Sequence, residues 1–110
     1  LGKMDGMAFR VPVSCGSVVD LTLELEKDVS KEKLNDLLRN NQSEALRVCE
    51  DPIVSSDVLG KKCGALVDLL STNVLETESG SLVKVVAWYD NEMGYTAQML
   101  RTAKALIKEK

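Results

Sequence analysis

At 110 residues the chain is at most one domain, and 45% hydrophobic with 28% charged residues reads as an ordinary soluble globular domain. A net charge of −3 argues against a nucleic-acid surface. No apolar run approaches the roughly 18 residues of a membrane span, no secretory leader pattern opens the chain, and the lack of an initial Met reads as a segment of a longer protein.

In chain order, Gly6 to Val13 reads as a short strand ending at Pro12, and Ser14-Cys15-Gly16 as a turn. Val19, Leu21, Leu23 and Leu25 then alternate with Asp20, Thr22, Glu24 and Glu26. That period predicts a strand with one buried and one wet face, which favours an antiparallel sheet. Ser30 is a helix cap, followed by a stripe of Leu34, Leu37 and Leu38 that fades at Asn40-Asn41-Gln42. Leu46 to Cys49 is a weak strand, and Pro52 to Lys62 a loop. Ala65 to Leu70 and Asn73 to Glu76 read as two strands, Glu78-Ser79-Gly80-Ser81 as a hairpin turn, and Leu82 to Tyr89 as the returning strand. The last helix runs from about Asn91 to the C-terminus, with Tyr95, Met99, Ala103, Leu106 and Ile107 on one face. The fold class is α+β: a mixed, mostly antiparallel sheet with helices on one face, in a single domain spanning 1–110.

The segment Trp88-Tyr89-Asp90-Asn91-Glu92-Met93-Gly94-Tyr95 is the most informative stretch. It ends an apolar run and opens an amphipathic one, so its polar residues sit at a strand-to-helix junction, where helix N–H groups are free to meet a ligand. The plainer alternative is an aromatic core plug followed by an Asp or Asn helix cap. Asn91 offers both a donor and an acceptor, so it is either that cap or the partner of another amide. Glu92 reads equally as a site residue and as a first-turn carboxylate facing the helix dipole. Arg10, between Phe9 and Val11, needs an anion if it is buried, and its fork suits a phosphate; alternatively it is an edge-strand Arg with its head in water. Cys15, Cys49 and Cys63 form no C-x-x-C pair, and with no His anywhere neither a zinc site nor an activated cysteine nucleophile is expected, so no metal and no catalytic residue is assigned. No G-x-G-x-x-G fingerprint for a dinucleotide is present either.

Trp88-Tyr89-Asp90-Asn91-Glu92 with Gly94-Tyr95 resembles the C-terminal signature of glyceraldehyde-3-phosphate dehydrogenase. Gly6-Met7-Ala8-Phe9-Arg10-Val11-Pro12 followed by Ser17-Val18-Val19-Asp20-Leu21-Thr22 resembles an earlier block of the same catalytic domain. Weaker similarity continues through Val54-Ser55-Ser56-Asp57 and Asp68-Leu69-Leu70-Ser71-Thr72. The resemblance implies the C-terminal part of that catalytic domain, a mixed sheet covered by helices, without its dinucleotide-binding domain, its cysteine nucleophile or its histidine base. It implies that Arg10 contacts phosphate, that Asn91 holds the nicotinamide amide and that Tyr95 lies near the nicotinamide pocket. The parent is then a cytoplasmic, homotetrameric glycolytic enzyme that uses NAD and inorganic phosphate to convert glyceraldehyde 3-phosphate to 1,3-bisphosphoglycerate. NADP use stays open, as does a sister activity on erythrose 4-phosphate. A non-catalytic assembly or binding module is the alternative from another class. The segment by itself is expected to be inactive.

Overall fold

A computed structural model describes residues 2–108. Its elements are β1 (Ser17–Leu25), α1 (Lys31–Asn40), β2 (Leu46–Cys49), a 3-10 turn (Ser55–Val58), β3 (Ala65–Thr77), β4 (Gly80–Tyr89) and α2 (Met93–Lys108). The strands form one sheet in the order β1-β4-β3-β2, antiparallel except for the β2–β3 pair. The α+β class with a mixed, mostly antiparallel sheet is therefore the observed one.

Local chemistry sets most boundaries. Ser30 Oγ accepts the Lys33 N–H at 3.2 Å and starts α1. The inward positions of α1 are Lys31, Leu34, Asn35 and Leu38, which recur at helical spacing. Leu37, expected in the stripe, points out at 60% exposure, and Asn35 takes the buried place, its Nδ2 donating to the Leu69 carbonyl at 3.3 Å. A two-residue turn at Glu78-Ser79 closes the β3–β4 hairpin, with Thr77 opposite Gly80.

The two strands expected between Ala65 and Glu76 are one strand with an irregularity. Leu69 to Thr72 stand opposite the single residue Val85, between the Asp68–Val86 and Asn73–Lys84 pairs. Asp68 holds this bulge together. Its Oδ1 accepts the Leu70 and Ser71 N–H groups at 3.0 and 3.2 Å, and its Oδ2 accepts the Ser71 hydroxyl at 2.6 Å.

Three further expectations are corrected. Gly6 to Val13 is not a strand: it is exposed and irregular, because no described strand pairs with it and Pro12 lacks a donor. The alternating residues of β1 do form a strand, but Val19, Leu21 and Leu23 each remain 40% exposed. β1 is an edge strand, while α1 packs against β2 and β3 at the opposite end of the sheet. On α2, Tyr95, Met99, Ala103, Leu106 and Ile107 all face solvent; Gly94 is the buried position, with Ala97, Gln98 and Arg101 half-buried. The buried apolar residues are Val58, Cys63, Val67, Leu69 and Val83, which lie around β3 and β4 next to the 3-10 turn.

Candidate functional site

β4 leaves the sheet at Tyr89 and α2 begins at Met93, and Asp90 makes the transition. Its Oδ1 accepts the N–H groups of Glu92 at 2.8 Å and Met93 at 2.9 Å, the pattern of a helix N-cap. Its Oδ2 accepts the Gly60 N–H at 2.7 Å, and the Cys15 thiol donates to Oδ1 at 3.5 Å. The side chain is only 5% exposed. The Gly60 N–H, followed by those of Met93 and Glu92 and the Cys15 thiol, holds the Asp90 carboxyl below its ordinary value, against the opposing effect of desolvation. Of the two residues that could cap at this junction, Asp90 is the one that does.

Asn91 is therefore released from capping. It is exposed, its Oδ1 accepts the Ser17 hydroxyl at 2.7 Å, and its Nδ2 donates to no other described residue. Tyr95 stands one turn further on, 71% exposed. The Glu92 side chain is exposed. Arg10 lies in the irregular N-terminal segment, exposed, with no hydrogen bond or salt bridge to a described residue. Asn91 and Tyr95 thus lie on adjoining stretches of chain, in the turn and the first turn of α2, while no described hydrogen bond, ion pair or strand pairing joins Arg10 to the junction.

The arrangement can orient an amide and present an aromatic ring. The Cys15 thiol donates to the Asp90 carboxylate, which the N–H groups of Gly60, Glu92 and Met93 already occupy as a helix cap. Cys49 is half-buried and Cys63 buried; among the described residues no group of three or more His, Cys, Asp and Glu could hold a metal ion. Two surface clefts, lined by Glu44, Arg47, Lys61, Lys62 and Arg101 among others, do not reach Arg10, Asn91 or Tyr95. Two contributors escaped sequence reasoning: Ser17, which holds the Asn91 amide, and Gly60, whose N–H engages Asp90. For Ser17 a signal exists in the strand register, where it lies opposite Tyr89, but reading it requires knowing that β1 pairs with β4.

Residues 1–91 match the family model described as glyceraldehyde 3-phosphate dehydrogenase, C-terminal domain. The chain belongs to this family. Glyceraldehyde-3-phosphate dehydrogenase of Streptococcus pyogenes is 48% identical over 107 residues, covering 97% of this chain and 32% of that protein. The protein of the same name from Streptococcus dysgalactiae subsp. equisimilis shows the same identity and coverage. The chain thus spans about a third of the length of these relatives. The resemblance carried by the two sequence blocks is borne out along nearly the whole chain. For this dehydrogenase family member, the family match takes in the whole sheet and ends on Asn91. Among the described residues, no helix is long and apolar enough to cross a membrane.

Proposed function

We propose that this chain is the C-terminal part of the catalytic domain of an NAD-linked, phosphorylating glyceraldehyde-3-phosphate dehydrogenase, a cytoplasmic glycolytic enzyme. In it the chain supplies the residues that orient the nicotinamide and bind phosphate, while the dinucleotide-binding domain, the nucleophile and the base belong to the rest of the protein. The observation that carries this reading is the free Nδ2 of Asn91. Asp90 performs the capping, so among the described residues the Asn91 amide is engaged only by its bond to Ser17.

A nicotinamide fits these residues, because its ring carboxamide offers a carbonyl acceptor to match an amide donor. The bound cofactor would supply the hydride acceptor. Asn91 Nδ2 would donate to the carboxamide carbonyl and fix the ring's rotation, with Tyr95 exposed nearby on α2. Arg10, exposed and without a carboxylate partner among the described residues, would hold a phosphate of glyceraldehyde 3-phosphate or inorganic phosphate. The apolar residues left open on the sheet and on α2 favour a chain that works inside a larger, self-associating protein, in keeping with a homotetramer.

The test is made in the full-length protein. Asn91→Asp and Asn91→Ser should fold with stability within about 0.5 kcal/mol of the parent, because the cap is elsewhere. They should slow single-turnover hydride transfer while cofactor affinity falls less, since Asp cannot donate and Ser is too short. Arg10→Ala should do the converse, weakening phosphate use about tenfold to a hundredfold at unchanged NAD affinity. Parental single-turnover rates in both Asn91 variants would remove the nicotinamide assignment.

A further inference from the structure

Ser17 is half-buried at the first position of β1, opposite Tyr89 in the register, two residues before Asn91. Its hydroxyl reaches Asn91 Oδ1 at 2.7 Å across 74 residues of sequence. The corner leading to it is tightly held. Cys15 donates to Asp90 at 3.5 Å, and Gly16 has φ +95, with a Cβ there meeting the Ser55 carbonyl at 3.0 Å and Val58 Cγ2 at 3.2 Å. Gly16 therefore fits where a side chain would push the corner away from the 3-10 turn. Two neighbouring side chains, Cys15 and Ser17, thus tie the start of β1 to the two consecutive junction residues Asp90 and Asn91.

A terminal carboxamide turns about a soft, roughly two-fold torsion, so an exposed Asn is poorly defined unless something engages one end of it. Ser17 engages the oxygen end. The nitrogen end is then the one presented outward.

We infer that Ser17 is a positioning residue: its hydroxyl holds the Asn91 carboxamide with Nδ2 outward, so that the site favours a ligand group that accepts a hydrogen bond. The inference rests on the reading of Asn91 as the nicotinamide partner. Ser17 touches no ligand in this scheme and acts only by ordering Asn91 beforehand, which lowers the conformational loss on binding.

The experiment uses the full-length protein and titrates two ligands by calorimetry: NAD, and ADP-ribose, which lacks the nicotinamide. Ser17→Thr keeps the hydroxyl on a residue suited to a strand, and Ser17→Val has nearly the same shape without it. Ser17→Ala is the third variant, so that the result does not depend on one substitution folding well. The expected result is a loss of about three- to tenfold in NAD affinity for Ser17→Val and Ser17→Ala, the range of one neutral hydrogen bond. ADP-ribose affinity should stay at the parental value, and Ser17→Thr should restore NAD binding. Asn91→Ala is titrated alongside. It should lose NAD affinity selectively, and adding Ser17→Val to it should cause no further loss. If Asn91→Ala binds NAD and ADP-ribose as the parent does, the nicotinamide reading falls and the role of Ser17 falls with it. If Asn91→Ala loses NAD affinity but Ser17→Val and Ser17→Ala do not, the nicotinamide reading stands and Ser17 has no positioning role. Equal losses for both ligands in the Ser17 variants would also overturn the inference, since they would mark a general structural defect.

Discussion

Asp90 brings a negative charge to a place that water scarcely reaches, and the N–H groups of Gly60, Glu92 and Met93 converge on it. These donors favour the ionised form, so the folded carboxyl sits below its ordinary value. The sign follows directly: the stabilisation is fully present above the unfolded value and is lost as pH falls through the depressed folded one. Replacing Asp90 by Asn turns one end of the side chain into a donor that faces other donors. Asp90→Asn in the full-length protein should therefore melt below the parent at pH 7, with the gap narrowing as pH drops below about 4. Melting curves taken across this range check it, and a gap that stays constant down to pH 3 would count against the ionised cap. By sequence, Asp90 and Asn91 are both possible caps. What separates them is the position of Gly60 and Cys15, 30 and 75 residues away, which no local pattern contains.

Among the elements, the β3–β4 hairpin carries the sheet, because β4 pairs on both sides and leads directly into the junction. Its return depends on Gly80. The backbone there has φ +139, and a Cβ would collide with the Leu25 carbonyl, a main-chain atom at the end of β1 that cannot swing aside. Gly80→Ala should destabilise the full-length protein by at least about 2 kcal/mol in urea unfolding. Gly6→Ala is the control. It meets nothing within 4 Å and should stay within about 0.5 kcal/mol of the parent. Equal stability of the two variants would show that β1 and the hairpin are not locked together at this point.

At the scale of the whole molecule, the exposed surface is 8621 Å², against about 6,000 Å² for a typical folded monomer of this mass. The radius of gyration, 15.8 Å, likewise exceeds the roughly 13 Å of a compact chain of this length. Among the described residues, five buried apolar side chains make a small core, and many large apolar side chains stay exposed, including Val19, Leu21 and Leu23 on β1 and Leu106 and Ile107 on α2. Exposed apolar side chains in this number bind hydrophobic dyes or other chains. The 110-residue segment prepared by itself should accordingly bind anilinonaphthalene sulfonate strongly or self-associate. It should also produce no enzyme-dependent NADH from glyceraldehyde 3-phosphate, NAD and phosphate. Turnover that survives repurification would contradict the assignment of the nucleophile and base to the rest of the protein.

The α+β class, the position of β1, the Ser30 cap, the hairpin turn and the family are legible in the residues alone. All of these rest on short-range rules, whether residue alternation, a cap three residues from its partner, or a contiguous signature. The other features depend on how distant segments meet in space. Gly6 to Val13 has strand-like residues, yet a strand needs a neighbour, and no described strand pairs with it. The stripe on α2 has helical spacing, yet spacing does not say which side will be covered, and the covered side is that of Gly94, which faces the Lys61 and Cys63 carbonyls. Asn91 is visible as a candidate from its neighbours in sequence. Its freedom from capping, and its tie to Ser17, appear only when β1 and β4 are laid side by side, because hydrogen bonds are set by distance in space and not along the chain.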